Sequence, residues 1–141
     1  MTSQTLLLIK PNAIEHRHVG HIITILEESG FHILKVKDLQ FTAQGAGEFY
    51  AMHQGKDFFD RLVKFMISGP NIALLLEKEN AVEELRKLVG SAIPQEREPG
   101  TIRHLYAEGI AENAVHASDT DENARREIKL IFGSDTSPEL V

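Results

Sequence analysis

The stretch TLLLIKP, residues 5–11, decides how this chain begins to fold. Its unbroken aliphatic run, Leu6 to Ile9, reads as a short buried strand. Pro11 ends that strand, because proline donates nothing to a sheet ladder and restricts the residue before it. Lys10 is therefore fixed at a strand's end. Beyond it, Val19, Ile22, Ile23 and Leu26 recur at helical spacing, and Gly30 supplies a stop. HILKVKDLQF (32–41) reads as a second strand with imperfect alternation, and NIALLLE (71–77) as a third. Residues 43–69 between them divide into two short helices broken near Gly55. One carries the stripe Ala46, Phe49, Tyr50 and His53; the other begins with Leu62, Phe65 and Met66. Val82, Leu85 and Val89 mark a further helix closed by Gly90. Residues 91–109 contain Pro94, Pro99, Gly100 and Gly109 without sustained periodicity, so they read as a long loop, a kind of segment that often carries function. A strand around 112–116 and a helix over about 121–132 complete the pattern.

A length of 141 residues fits one domain over 1–141, with a polar tail, GSDTSPELV, at 133–141. With 42% hydrophobic and 26% charged residues, the composition is that of an ordinary globular protein. The net charge of −6 disfavours a protein whose main work is neutralising nucleic-acid phosphates. It leaves room for a local cationic pocket. The chain contains no cysteine, which excludes disulfide and thiol chemistry. Its apolar runs are too short to span a membrane and no signal-type segment opens it, so the expected location is cytoplasmic.

The phosphate-loop pattern GxxxxGK[ST] is missing: Gly55 and Lys56 are followed by Asp57. GAGEFY, from Gly45, lacks the last glycine of a dinucleotide-binding turn. His16, His18 and His21 sit around a helix start with no complementary carboxylate or thiol at metal spacing, and read as surface residues. His53 and Tyr50 share a stripe whose pattern slightly favours a partly buried aromatic cluster over a ligand-facing polar pair.

His116 poses the sharper question. It lies in NAVHASDTDEN (113–123), where a strand runs out and a helix begins. Ser118, Asp119, Thr120 and Asp121 are explained by the helix start, since short oxygen side chains satisfy free N–H groups and carboxylates favour the positive helix end. The histidine is not. Along the helix Ala124, Glu127, Ile128 and Ile131 fall on one face, which puts a carboxylate among apolar side chains, where it needs a partner. If Glu127 accepts from one ring nitrogen of His116, the other is left with a lone pair. Spacing alone leaves a packed core histidine and an oriented nucleophile both open.

Several ordered segments together are far more specific. LLIKPNAI (7–14), FYAMHQGKDFFDRLVKFMISGP (49–70), ENAVEELRKLVG (79–90), PGTIR (99–103) and NAVHASD (113–119), followed by Glu127, resemble the nucleoside diphosphate kinase family. The resemblance spans residues from about 5 to 132. It implies a ferredoxin-like α/β (α+β) fold, with a four-stranded antiparallel sheet covered by helices. It also implies ping-pong transfer of the γ-phosphate of a nucleoside triphosphate to a nucleoside diphosphate. His116 matches the family's phosphate acceptor, phosphorylated on its pros nitrogen; Glu127 matches the residue that orients it, and Ser118 a hydrogen-bonded neighbour. Lys10, Tyr50, His53, Arg86, Arg103 and Asn113 match positions around the phosphates, ribose and histidine. Phe58 matches a base-stacking residue, with Leu62 nearby. Mg2+ is implied on the nucleotide phosphates, with no metal ligand from protein side chains. The implied partners are nucleoside triphosphates and diphosphates and further copies of the chain, in dimer-based tetramers or hexamers; no membrane or nucleic acid is required.

The chain also departs from the family pattern. Asn12 and Ala13 stand where Asp-Gly is common. GATNP becomes GSAIP, so Ala92 replaces a threonine expected to touch phosphate, and Ile93 replaces asparagine. RGDF becomes RHLY (103–106), and HGSD becomes HASD with Ala117. These changes sustain a rival reading, a catalytically weakened nucleotide-binding or assembly module of the same fold.

Overall fold

The computed structural model describes residues 2–109 and 112–133. Four strands, β1 (Thr2–Ile9), β2 (His32–Leu39), β3 (Asn71–Glu79) and β4 (Val115–Ala117), form one antiparallel sheet in the order β2-β3-β1-β4. The four-stranded antiparallel sheet is therefore as expected. β1 begins earlier and β3 ends later than the apolar runs indicated, because backbone pairing continues through polar residues from Thr2↔Glu79 to Gln4↔Glu77.

β1 is apolar without alternation because both of its faces are covered. Leu7 and Ile9 pack with α2 (Val19–Glu28) and α5 (Ala81–Val89) in one core cluster. Leu6 and Leu8 pack on the other face with α3 (Ala43–Phe49), α4 (Phe59–Met66) and α7 (Asp121–Phe132). All four side chains are fully buried. Burying each contributes about 1.5–3 kcal/mol over leaving it in water. The imperfect alternation of β2 has a local cause: its register against β3 shifts between Ile33 and Lys35, so Leu34 is a bulged residue and 44% exposed.

Three expectations need correction. Pro11 does more than end β1, for it starts α1 (Pro11–Glu15), where its missing N–H has no partner to lose. The 91–109 segment is not structureless: it holds a 3-10 turn at Pro94–Glu96 and α6 (Ile102–Tyr106), whose first turn Thr101 caps by accepting from His104 N. At the root of this segment Gly90 has φ +89, and a Cβ there would stand 2.6 Å from Thr101 Oγ1. Only glycine closes α5 while letting Thr101 approach so near. The final strand is also later than 112–116, at Val115–Ala117. Of the tail expected at 133–141, residues 134–141 lie outside the described residues.

Candidate active site

His116 is the middle residue of β4, paired with Leu8 of β1, so the sheet itself fixes its backbone. Just before it Ala114 has φ +74 and Val115 N donates to Asn113 O at 2.9 Å, the pattern of a γ-turn that non-glycine residues rarely adopt. Lys10 N donates to Ala114 O at 2.9 Å, tying that turn to the end of β1.

α7 starts where Thr120 Oγ1 accepts from Asn123 N, and its buried face carries Ala124, Glu127, Ile128 and Ile131. Glu127 is only 1% exposed and finds the partner that burial demands. His116 Nε2 lies 2.7 Å from Glu127 Oε1, and Ser118 Oγ donates to the same oxygen at 2.8 Å. A carboxylate only accepts, so the imidazole proton belongs on Nε2 and the lone pair on Nδ1. Phe49 and Tyr50 meet the imidazole edge-on at 4.9 and 5.5 Å, holding its plane. Burial pushes the imidazole pKa below its ordinary value; the Glu127 hydrogen bond and charge oppose this, while Lys10 and Arg103 add to it. The ring is accordingly neutral at pH 7.

His116 opens on a cleft of ≈ 330 Å³. Every residue matched above to the family's site lines it except Ser118, which stands behind Glu127. Lys10 Nζ donates to Asn113 Oδ1 at 2.8 Å and lies 6.0 Å from the Tyr50 ring centre. Burial and the nearby Arg103 lower its pKa to about 7, with Glu112 acting the other way. Arg103, on α6, donates to Gly90 O and Val115 O, both at 3.0 Å, and its buried Nε has no partner among the described residues. Burial lowers its pKa to about 10, which leaves it charged. Arg86 projects from the last turn of α5.

On the opposite wall, burial and then Glu127 drive the Tyr50 phenol pKa upward, so it is a donor, and its hydroxyl has no partner among the described residues. His53 Nδ1 is also buried without a partner among the described residues. Phe58, 40% exposed, stands at the mouth with its ring 5.3 Å from that of His53, and buried Leu62 backs the same wall. Cationic groups thus gather near the nucleophile while an aromatic face lies at the rim.

Met52 and Asp119 also line the cleft. Met52 offers no polar signal in the sequence, and Asp119 is hidden among the oxygen side chains of the helix start. Its carboxylate accepts from Asn123 Nδ2 at 2.6 Å, and that nitrogen is 3.9 Å from Met52 Sδ. The three early histidines stand apart. His18 stacks on Tyr106 at 4.1 Å, His21 meets the same ring edge-on and His16 Nδ1 pairs with Glu108. All three lie at the surface as expected, His16 and His21 exposed and His18 partly so, with His18 and His21 resting on the Tyr106 ring. Among the described residues no three His, Cys, Asp or Glu side chains gather to hold a metal ion. No helix among them is long and apolar enough to cross a membrane.

The family model described as nucleoside diphosphate kinase matches residues 3–137. A nucleoside diphosphate kinase of Actinobacillus pleuropneumoniae serotype 3 is 48% identical over 132 residues, covering 94% of this chain and 96% of that protein. One from Haemophilus ducreyi is 48% identical over 135 residues, covering 96% and 98%. Among solved structures, the Aquifex aeolicus nucleoside diphosphate kinase superposes with a TM-score of 0.90 at 38% identity, covering 94% of this chain and 96% of that one. The Halobacterium salinarum enzyme in complex with CDP superposes with a TM-score of 0.92 at 34% identity, covering 100% and 94%.

Proposed function

This chain belongs to the nucleoside diphosphate kinase family, and from that premise we propose that His116 Nδ1 is the atom that carries the phosphoryl group between nucleotides. The enzyme transfers the γ-phosphate of a nucleoside triphosphate to a nucleoside diphosphate. One observation carries the assignment of the atom: Glu127 engages Nε2, which leaves the Nδ1 lone pair for the cleft.

In the first half-reaction Nδ1 attacks the γ-phosphorus in line. The Nδ1–P bond forms, the bond from phosphorus to the bridging oxygen breaks, and the diphosphate leaves with that oxygen's electron pair. The Nε2 proton stays in place, and Glu127 stabilises the positive charge that develops on the ring. A second diphosphate then takes the phosphoryl group by the reverse displacement, so one site serves both substrates. Because phosphoryl transfer depends on positioning and on stabilising oxygen charge, Lys10, Arg86 and Arg103 have the task of holding the phosphates. Asn113 fixes Lys10, while the Tyr50 hydroxyl and His53 Nδ1, unpartnered among the described residues, suit ribose or phosphate oxygens. Phe58, backed by Leu62, suits a base stacked at the rim without edge recognition.

The family uses a divalent cation, and Mg2+ is the ion we assign. The donor set fits an ion held chiefly by the nucleotide, since Glu127 is engaged by His116 and Ser118 and Asp119 is the other carboxylate lining the cleft. When bound it supplies neutralisation of phosphate charge. The same reading takes 1–141 as one domain and has the enzyme assemble with its own copies in the cytoplasm, where its water-soluble substrates are.

The test is incubation with γ-labelled ATP and Mg2+. Acid-labile, base-stable label is expected on the parent and absent from His116→Ala. Absence of transferable label on the parent would instead support the weakened module suggested by Ala92.

A further inference from the structure

Arg97 lies in the 91–109 segment, behind the cleft wall. Its Nε donates to Ser91 O at 3.1 Å, and its Nη2 to Ala92 O at 3.0 Å and Gly109 O at 2.8 Å. A single guanidinium therefore joins the two ends of the segment and grips two successive carbonyls beside the cleft. Ala92 lines that cleft, at the position where the family resemblance implies a threonine expected to touch phosphate.

A trans peptide points its N–H opposite to its C=O. Holding Ser91 O and Ala92 O consequently fixes the directions of the Ala92 and Ile93 N–H groups. Ile93 N donates to Ser91 Oγ at 3.0 Å. The Ala92 N–H, on the side away from the guanidinium, makes no backbone hydrogen bond among the described residues. The three acceptors of Arg97 are neutral carbonyls, so its charge is not cancelled by them. That charge reaches the site: Arg97 is among the groups that lower the pKa of Arg103.

We propose that Arg97 is a positioning residue for the nucleotide phosphates, holding the Ser91–Ala92 peptide so that the Ala92 N–H and the guanidinium charge replace the threonine hydroxyl lost at position 92. The inference rests on the kinase reading above. It makes Ala92 a compensated departure from the family pattern.

The test is a mutant cycle of Arg97→Met, Ala92→Thr and the double variant, scored by KM and kcat for ATP and a diphosphate, with thermal melting and His116 labelling alongside. Arg97→Met is expected to raise KM about tenfold, the loss of one charge-assisted contact, with kcat at saturation within about threefold. Ala92→Thr alone changes KM little, but in the Arg97→Met background it recovers most of the loss. A purely structural staple would lower the melting temperature and show no such recovery. Should Arg97→Met fail to fold, Arg97→Lys, which keeps the charge and loses the fork, takes its place in the same cycle with a smaller rise in KM. An unchanged KM, or a raised KM that threonine does not recover, overturns the proposal while leaving the kinase reading intact. A parent that takes no label on His116 overturns both.

Discussion

At the scale of single residues, Glu127 Oε1 has two tasks, since it accepts from both His116 Nε2 and Ser118 Oγ. Replacing Glu127 by Gln keeps an acceptor but removes the charge proposed to balance the phosphorylated ring. It also sets an amide against Arg126, whose Nη2 lies 3.8 Å from Oε2. Rapid-quench phosphorylation of Glu127→Gln is expected to slow about 10- to 100-fold with little change in melting temperature. Titration gives a second prediction at this scale. The depressed pKa of His116 keeps its lone pair available as pH falls through 6.5, whereas Lys10, with a pKa of about 7, loses its proton from the free enzyme above neutrality. The profile of kcat/KM against pH should therefore have an acid limb below 6.5 and an alkaline limb near 7, and bound phosphates should move the latter upward in kcat. Stability runs the opposite way for Lys10. Above pH 7 the unfolded chain binds the proton that the folded one has released, so stability rises with pH toward 10.5. Lys10→Met should remove that slope in melts taken from pH 6 to pH 10, while abolishing nucleotide binding.

At the scale of elements, legibility follows the length of the periodic signal. α7 is readable to its ends because it holds three turns with an oxygen cap and one apolar face. α6 is not, being five residues long behind two prolines, too short for a period to emerge. The Met52 wall was equally hidden, for a 3-10 turn at Ala51–His53 has no pattern of its own. Nor does the sequence disclose that Arg97 grips the 91–109 segment, because its acceptors are backbone carbonyls at two separated positions. The family resemblance, not periodicity, picked out Arg86, Arg103 and Asn113, each ordinary when taken alone. The junction at Gly90 permits a prediction here. In Gly90→Ala the new Cβ would meet Thr101 Oγ1 at 2.6 Å in a backbone region that alanine disfavours. About 2–4 kcal/mol of stability should be lost, from strained φ and forced repacking together. Since Arg103 Nη1 donates to Gly90 O, displacement of α6 should also raise KM, and melting with steady-state kinetics on one preparation checks both.

At the scale of the whole molecule, the acidic surface and the cationic cleft pull against each other. The chain carries a net charge of −6, yet Lys10, Arg86 and Arg103 line the cleft proposed for an anionic substrate. The two fields differ in range. At about 0.01 M ionic strength the Debye length is near 30 Å, so an approaching nucleotide meets the repulsion of the entire surface. At about 0.15 M it shrinks to near 8 Å, which hides most of that surface and leaves the cations lining the proposed phosphate site still effective. Raising salt over this first interval removes repulsion faster than attraction; raising it further toward about 1 M, where the length is near 3 Å, removes the attraction as well. The value of kcat/KM for a nucleoside diphosphate should thus stay level or rise between the first two conditions and fall severalfold toward the third. Stopped-flow measurement of the dephosphorylation of phosphorylated enzyme, with an inert salt and constant free Mg2+, reads this directly. A steep monotonic fall from the lowest salt would mean that the local cations dominate at every distance and that the acidic surface has no part in encounter.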